Sequence, residues 1–255
     1  MIREVEVFFA ALRYFTRLPV PSWVGHSEQQ LEQSARYFPL VGVLVGSIGA
    51  LITVAAAQAL PVSLAILAGM AATLVVTGAF HEDGLADAVD GFGGSQQKAR
   101  VLEIMKDSRI GSFGAIAIAL MLLAKFNALA QIDALDGWRT LALALIAGHA
   151  LSRFAATTLM CALPYVREDE SAKSKPLARR LSVPELGLAA LFGLAPCLLL
   201  NSWKVWVAVA SSAAVTLLAA GYFVRRIGGY TGDCLGATQQ VAELAFYVGL
   251  LCVSS

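Results

Sequence analysis

The sequence predicts an all-α polytopic membrane bundle, and three features of it lead there. Hydrophobic residues make up 58% of the 255 and charged residues only 15%, with a mean hydropathy of +0.69. Soluble globular chains are nearer a quarter charged, so this chain lacks the polar groups to cover a water-facing surface. The apolar residues fall into continuous runs of about 20, the length a helix needs to cross a bilayer. They do not alternate at period two, which excludes a closed β-barrel. A formal charge of +1 supplies no field for an anionic polymer, so no nucleic-acid partner is expected. Cys161, Cys197, Cys234 and Cys252 show neither CxxC nor CxxH spacing and read as packing residues, not as disulfides or a zinc site.

The chain reads as one integral membrane domain, 1–255, whose first 38 residues form an interfacial segment. Ile2, Val5, Phe8, Phe9, Leu12 and Phe15 recur at a helical period. An amphipathic helix lying on the membrane surface is expected. Glu4, Glu6 and the internal arginines exclude a cleavable signal. Spans are expected at Pro39–Leu60, Val62–His81, Gly111–Ile132, Trp138–Ala162, about Pro184–Asn201, Trp203–Val224 and about Ala237–Val253. That gives about six or seven transmembrane helices, the last inserting only in part because it holds Glu243. Gly42, Gly46, Gly49 and Ala50 suit close helix packing in lipid. Of the 19 lysines and arginines, fifteen fall in alternate connections on one side, which by the positive-inside bias is cytoplasmic. The stretch Arg167 to Arg180 reads as a solvated loop on that side. The polar segments 82–110 and 225–240 lie on that side too.

The first of these carries Asp83, Asp87 and Asp90 at i, i+4, i+7, one face of a helix, beside Glu82. Like charges on one stripe repel, and a divalent cation removes the repulsion. Mg²⁺ takes hard oxygen ligands and keeps water or substrate phosphate in its shell, so Glu82, Asp83, Asp87 and Asp90 are the candidate metal ligands. A water-solvated helix end is the plain alternative. Gly91, Gly93 and Gly94 are expected to end the helix and offer backbone N–H groups to phosphate, or simply to make a turn.

Arg100, Lys106, Asp107 and Arg109 follow closely. A cationic set facing an acidic, metal-bearing set suits a diphosphate, although Lys106 and Arg109 also satisfy the positive-inside bias. The 225–240 segment presents Thr231, Gly232 and Asp233 among glycines at another helix end. Asp233 suits a ligand or a base; a solvated turn is the alternative. Within the spans, Lys125, His149 and Arg153 require partners. Arg153 could reach phosphate or pair structurally, His149 fits a hydrogen-bonded core role, and Lys125 could snorkel.

These segments resemble the cobalamin synthase family, the adenosylcobinamide-GDP ribazoletransferases. The resemblance rests on His81-Glu-Asp-Gly-Leu-Ala-Asp-Ala-Val-Asp-Gly-Phe-Gly-Gly94, on Leu102-Glu-Ile-Met-Lys-Asp-Ser-Arg-Ile-Gly-Ser-Phe-Gly114 and on Gly229-Tyr-Thr-Gly-Asp-Cys-Leu-Gly-Ala237. Phe15-Thr-Arg-Leu-Pro-Val-Pro21 and Leu163-Pro-Tyr-Val-Arg167 are also similar to family segments. It implies a Mg²⁺-dependent enzyme of the bacterial inner membrane. Such an enzyme joins adenosylcobinamide-GDP to α-ribazole or its 5′-phosphate and releases GMP. A homo-oligomer or an assembly with pathway enzymes is compatible with the resemblance.

The expected chemistry is in-line phosphoryl transfer, with Asp107 or Asp233 as base and Lys106, Arg109 and Arg153 neutralising the leaving group. Gly91, Gly93, Gly94, Arg100, Arg153, Thr231 and Gly232 are the expected substrate contacts. A CDP-alcohol phosphotransferase is the nearest rival, but Gly94-Ser95 stands where its Ala-Arg is required. A secondary transporter would place its acids near the bilayer midplane and show a repeat.

Overall fold

The computed structural model describes residues 2–25, 27–167 and 181–252. These form α1 (Ile2–Phe15), α2 (Glu28–Ser34), α3 (Phe38–Ala56), α4 (Val62–Thr77), α5 (Phe80–Gly94), α6 (Lys98–Ile104), α7 (Ser112–Ala162), α8 (Val183–Leu198), α9 (Lys204–Ile227) and α10 (Gly232–Leu251). Among the described residues the β-structure is one isolated bridge, Tyr165 to Tyr230. The fold is all-α, as composition and apolar run length require. The loop basics Lys173, Lys175, Arg179 and Arg180 lie outside the described residues.

Among the described residues, Gln29–Ala56, Ser112–Ala162 and Lys204–Ile227 are each long and apolar enough to cross a membrane. A fourth span results if α4 and α5, bent by 84°, count as one. These are the long apolar helices of a multi-pass membrane protein. The bend has a local cause. Gly78 (φ 65°) ends α4 in the left-handed conformation, Ala79 (φ 56°) follows in the same region, and the chain leaves in a new direction. The expected span Val62–His81 therefore stops at Thr77, and most of the expected loop 82–110 is helical. α5 is set across α4 and carries one histidine and four carboxylates.

The 51 residues of α7 would run about 75 Å if straight. Its first turn, however, bonds to Asp90 on α5. The chain just beyond its last residue pairs with Tyr230, and Arg167 reaches Asp233. Both ends thus lie at the same end of the molecule. Gly137 (φ 81°, ψ 170°) interrupts the helical backbone midway, so α7 folds back as two arms.

α3 lies against the second arm with almost no space between backbones. A Cβ on Gly42 would sit 2.3 Å from the His149 carbonyl oxygen. A Cβ on Gly249 would sit 2.5 Å from the Ala208 Cα, joining α10 to α9. This is the small-residue packing expected in lipid.

α1 is amphipathic, and Val7, Ala10, Ala11, Leu12 and Phe15 are buried in the protein, Leu12 and Phe15 beside Phe38 and Val41. α10 is wedged among α5, α7 and α9, with Gln239, Gln240 and Glu243 fully enclosed. Their burial is tolerated because each finds partners. Lys125 Nζ lies 3.0 Å from Glu243 Oε1 and donates to Gln240 Oε1. Gln239 donates to Glu243 and to Ser152, and Tyr247 donates to Glu243. Lys125 is 5% exposed, so it pairs inward instead of snorkelling. Cys161, Cys197, Cys234 and Cys252 form no disulfide among the described residues.

Candidate active site

The site forms where α5 crosses the start of α10. Gly84 and Gly236 let the two helices touch: a Cβ on Gly84 would lie 3.2 Å from the Gly236 Cα and 3.3 Å from the Asp233 Cα. This contact brings Asp233 to the carboxylates of α5. Burial, and next the negative charge of Asp233 and of Asp83, push the Asp87 carboxyl up to about 7. Asp83 is exposed and Asp87 half-buried, so the group opens outward.

Asp233 is held from both sides. Arg167 donates to its Oδ2 at 2.7 Å and also to the Met105 carbonyl. Thr231 donates to the same Oδ2 at 3.3 Å. Arg167 was counted in the sequence only as a basic loop residue. Its one signal was its place at the end of Leu163-Pro-Tyr-Val-Arg167. The Tyr165–Tyr230 bridge carries it to the site. Of the three carboxylates Asp83, Asp87 and Asp233, only Asp233 is bonded to the Arg167 guanidinium. The N-terminus of the 20-residue α10 adds a partial positive charge at this point.

Several expected site residues do something else. Asp90 Oδ2 accepts from the Gly111 N–H at 2.7 Å and Oδ1 from the Gly114 N–H at 2.8 Å. Both oxygens are committed to capping α7, whose own N-cap residue, glycine, has no side chain to do so. Glu82 turns inward, where Oε1 accepts from Gln240. α5 ends at Gly94, as expected, but Gly91, Gly93 and Gly94 are helical and have no positive φ. They make room for Met105, Phe113 and Ile104 respectively, so a phosphate cradle is replaced by packing.

Thr231 caps α10 by accepting from the Cys234 N–H. Arg100 pairs with Glu103 on the surface of α6. Arg109 binds Asp107, and its hydrogen bonds draw the Asp107 carboxyl down to about 2. Lys106 is exposed and follows Met105 at the rim of the site. Arg153 is 2% exposed, bonded to His149 and away from the open carboxylates, in a pocket beside Gly232 and Gly236.

Among the described residues, no three His, Cys, Asp or Glu side chains converge to enclose a metal. An open site of one or two carboxylates completed by water and phosphate oxygens is a different arrangement, and the usual one for Mg²⁺. Asp83 and Asp87 open outward, whereas both oxygens of Asp90 already accept from backbone N–H groups.

Residues 7–251 match the family described as cobalamin-5-phosphate synthase. The chain belongs to that family. It is 45% identical over 252 residues to an adenosylcobinamide-GDP ribazoletransferase of Shewanella frigidimarina, covering 99% of this chain and 96% of that protein. A ribazoletransferase of the same description from Leptothrix cholodnii is 45% identical over 258 residues, covering 98% and 97%. Another from Shewanella woodyi is 47% identical over 257 residues, covering 98% and 96%. No solved structure matches the chain. The chain is thus a transferase of cobalamin biosynthesis, and the transporter and CDP-alcohol phosphotransferase alternatives fall away.

Proposed function

We infer that this chain joins adenosylcobinamide-GDP to α-ribazole, or to its 5′-phosphate, giving adenosylcobalamin or its 5′-phosphate and GMP. The reading rests above all on the full-length similarity to ribazoletransferases. The cluster of Asp83, Asp87, Asp233 and Arg167 supports it, because it supplies what cleavage of a diphosphate needs.

Asp83 and Asp87 would hold Mg²⁺, which would supply positive charge to neutralise a bound diphosphate. Asp233, oriented by Arg167 and Thr231, accepts the proton of the ribazole 3′-hydroxyl. That oxygen forms a bond to the phosphorus carrying cobinamide, and the bond from this phosphorus to the bridging oxygen breaks. GMP leaves with the electron pair. Arg167, Lys106 and the α10 N-terminus balance the charge on the departing phosphate. Phosphoryl transfer asks mainly for positioning and charge stabilisation, so no covalent nucleophile is required.

We read seven crossings: α3, α4, the two arms of α7, α8, α9 and α10. The site then faces the cytoplasm of a bacterial inner membrane, on the side with most basic residues. At the other end, exposed Trp138, Trp203 and Trp206 suit an interfacial belt.

The test is purified protein in detergent with adenosylcobinamide-GDP, α-ribazole and Mg²⁺. GMP release that stops on chelation with EDTA and returns with Mg²⁺ is expected. An absence of GMP release overturns the transferase reading, and release indifferent to EDTA overturns the metal assignment.

A further inference from the structure

On the side of α5 away from its open carboxylates runs a groove of about 890 Å³, walled by α5, α9 and α10. Leu85, Val89 and Phe92 stand at i, i+4 and i+7 and form one wall. Asp87 is two residues from both Leu85 and Val89, which puts it on the opposite face of the same helix. Leu218 and Tyr222 of α9 and Val241 of α10 complete the lining. The groove opens beside Leu217 and Leu218, which are 72% and 73% exposed. α9 is long and apolar enough to cross a membrane, so in a bilayer this opening meets acyl chains.

The groove also carries a cation. Arg225, in the last turn of α9, lines it, with the guanidinium carbon 5.8 Å from the centre of the Tyr222 ring. Among the described residues no carboxylate pairs with it. Its neighbour Arg226 is committed to α5, donating to the Phe92 and Ser95 carbonyls. Lys98 comes to this end of α9 as well: a Cβ on Gly228 would lie 3.5 Å from its Nζ. Apolar walls beside a basic mouth match a molecule with hydrocarbon chains and an anionic head. The cytoplasmic leaflet, on the side with most basic residues, offers such lipids. A soluble phosphate would leave the apolar length of the groove unfilled, and a zwitterionic lipid would bring its own cation toward Arg225.

We propose that this groove binds an anionic phospholipid of the bilayer, with acyl chains along Leu85, Val89 and Leu218 and the phosphate at Arg225. The lipid then packs against the back of the helix whose front carries Asp83 and Asp87. This goes beyond the ribazole-transfer reading and does not depend on it.

Native mass spectrometry of the protein in detergent tests it, with phosphatidylglycerol and phosphatidylcholine of the same chains titrated separately. The parent protein should retain one phosphatidylglycerol with about a fivefold or greater preference. Arg225→Gln should weaken that binding about fivefold, the effect of one basic residue at an anionic surface, and erase the preference. Ala219→Trp fills the groove that Ala219 lines and should weaken both lipids. Arg225 is exposed, so its variant decides the matter even if Ala219→Trp does not fold.

Equal retention of the two lipids by the parent protein overturns the proposal, as does phosphatidylglycerol binding that Arg225→Gln leaves unchanged. Displacement of the lipid by inorganic phosphate makes this a plain phosphate site and overturns it too. A dimeric mass without lipid, lost in Ala219→Trp, gives the groove to a second copy of the chain instead. Lipid retention is read directly, so each outcome stands whether or not GMP is released.

Discussion

Asp87 and Asp90 stand three residues apart on one helix, yet their surroundings differ. Asp90 accepts from two backbone N–H groups. Burial, and then the neighbouring carboxylates Asp233 and Asp83, push the Asp87 carboxyl up to about 7. Asp87→Asn should lower turnover by about 100-fold or more, since a charged ligand to a catalytic cation is lost; a rate near that of the parent protein counts against the metal assignment. Asp90→Ala should instead cost about 1–2 kcal/mol, as for a lost helix cap. Thermal unfolding in detergent would then fall by about 2–8 °C. The Mg²⁺ concentration giving half-maximal activity should stay within about twofold of the parent's for folded Asp90→Ala. A large increase would return Asp90 to the ligand set.

At the scale of elements, the site depends on how closely α5 and α10 approach. A Cβ on Gly236 would lie 3.1 Å from the Gly84 Cα, and backbone cannot yield as a flexible side chain does. Gly236→Val should therefore push the helices apart, cost about 1–3 kcal/mol as overpacking does, and reduce turnover as Asp233 leaves Asp83 and Asp87. Gly187 on α8 and Gly221 on α9 are the controls, because a Cβ at either meets nothing within 4 Å. Alanine there should leave activity unchanged and stabilise by up to about 1 kcal/mol through helix propensity. Equal damage from all three substitutions would remove the case for a special contact. The 84° turn at Gly78 and Ala79 works at this scale too, since it lays the acidic helix across the end of the bundle.

The whole molecule is tied together by its buried polar chain. Lys125 on the first arm of α7, His149 and Ser152 on the second, and Glu82 on α5 all converge on Gln239, Gln240 and Glu243 of α10. The network connects the catalytic helix to the centre of the bundle. Lys125→Met leaves Glu243 enclosed without its main partner, and about 3–5 kcal/mol of stability should be lost. The double variant Lys125→Met with Glu243→Leu should regain much of that, because two apolar groups leave no charge uncompensated. Thermal unfolding of the two proteins side by side decides it. A double variant no more stable than the single one would mean that Glu243 is held chiefly by His149, Gln239 and Tyr247.

The sequence by itself determined the all-α membrane class, the small-residue packing of α3 and the acidic segment on α5, because run length, helical period and local charge are properties of neighbours in the chain. It also determined the family, through three contiguous motifs. Only the tertiary structure decided which acids act together. The spacing of Asp83, Asp87 and Asp90 made them look equivalent, and the arrival of the Gly111 and Gly114 amides separated them. Arg167 and Asp233 are 66 residues apart and join through a bridge no periodicity announces. The glycines after Asp90 read equally as a phosphate cradle or a plain turn, and in the fold Met105 and Phe113 lie against two of them. Glu243 read as a defect in a span until Lys125 was found beside it. Partners distant in sequence set the charge and hydrogen bonding of each group, and those contacts exist only once the helices have packed.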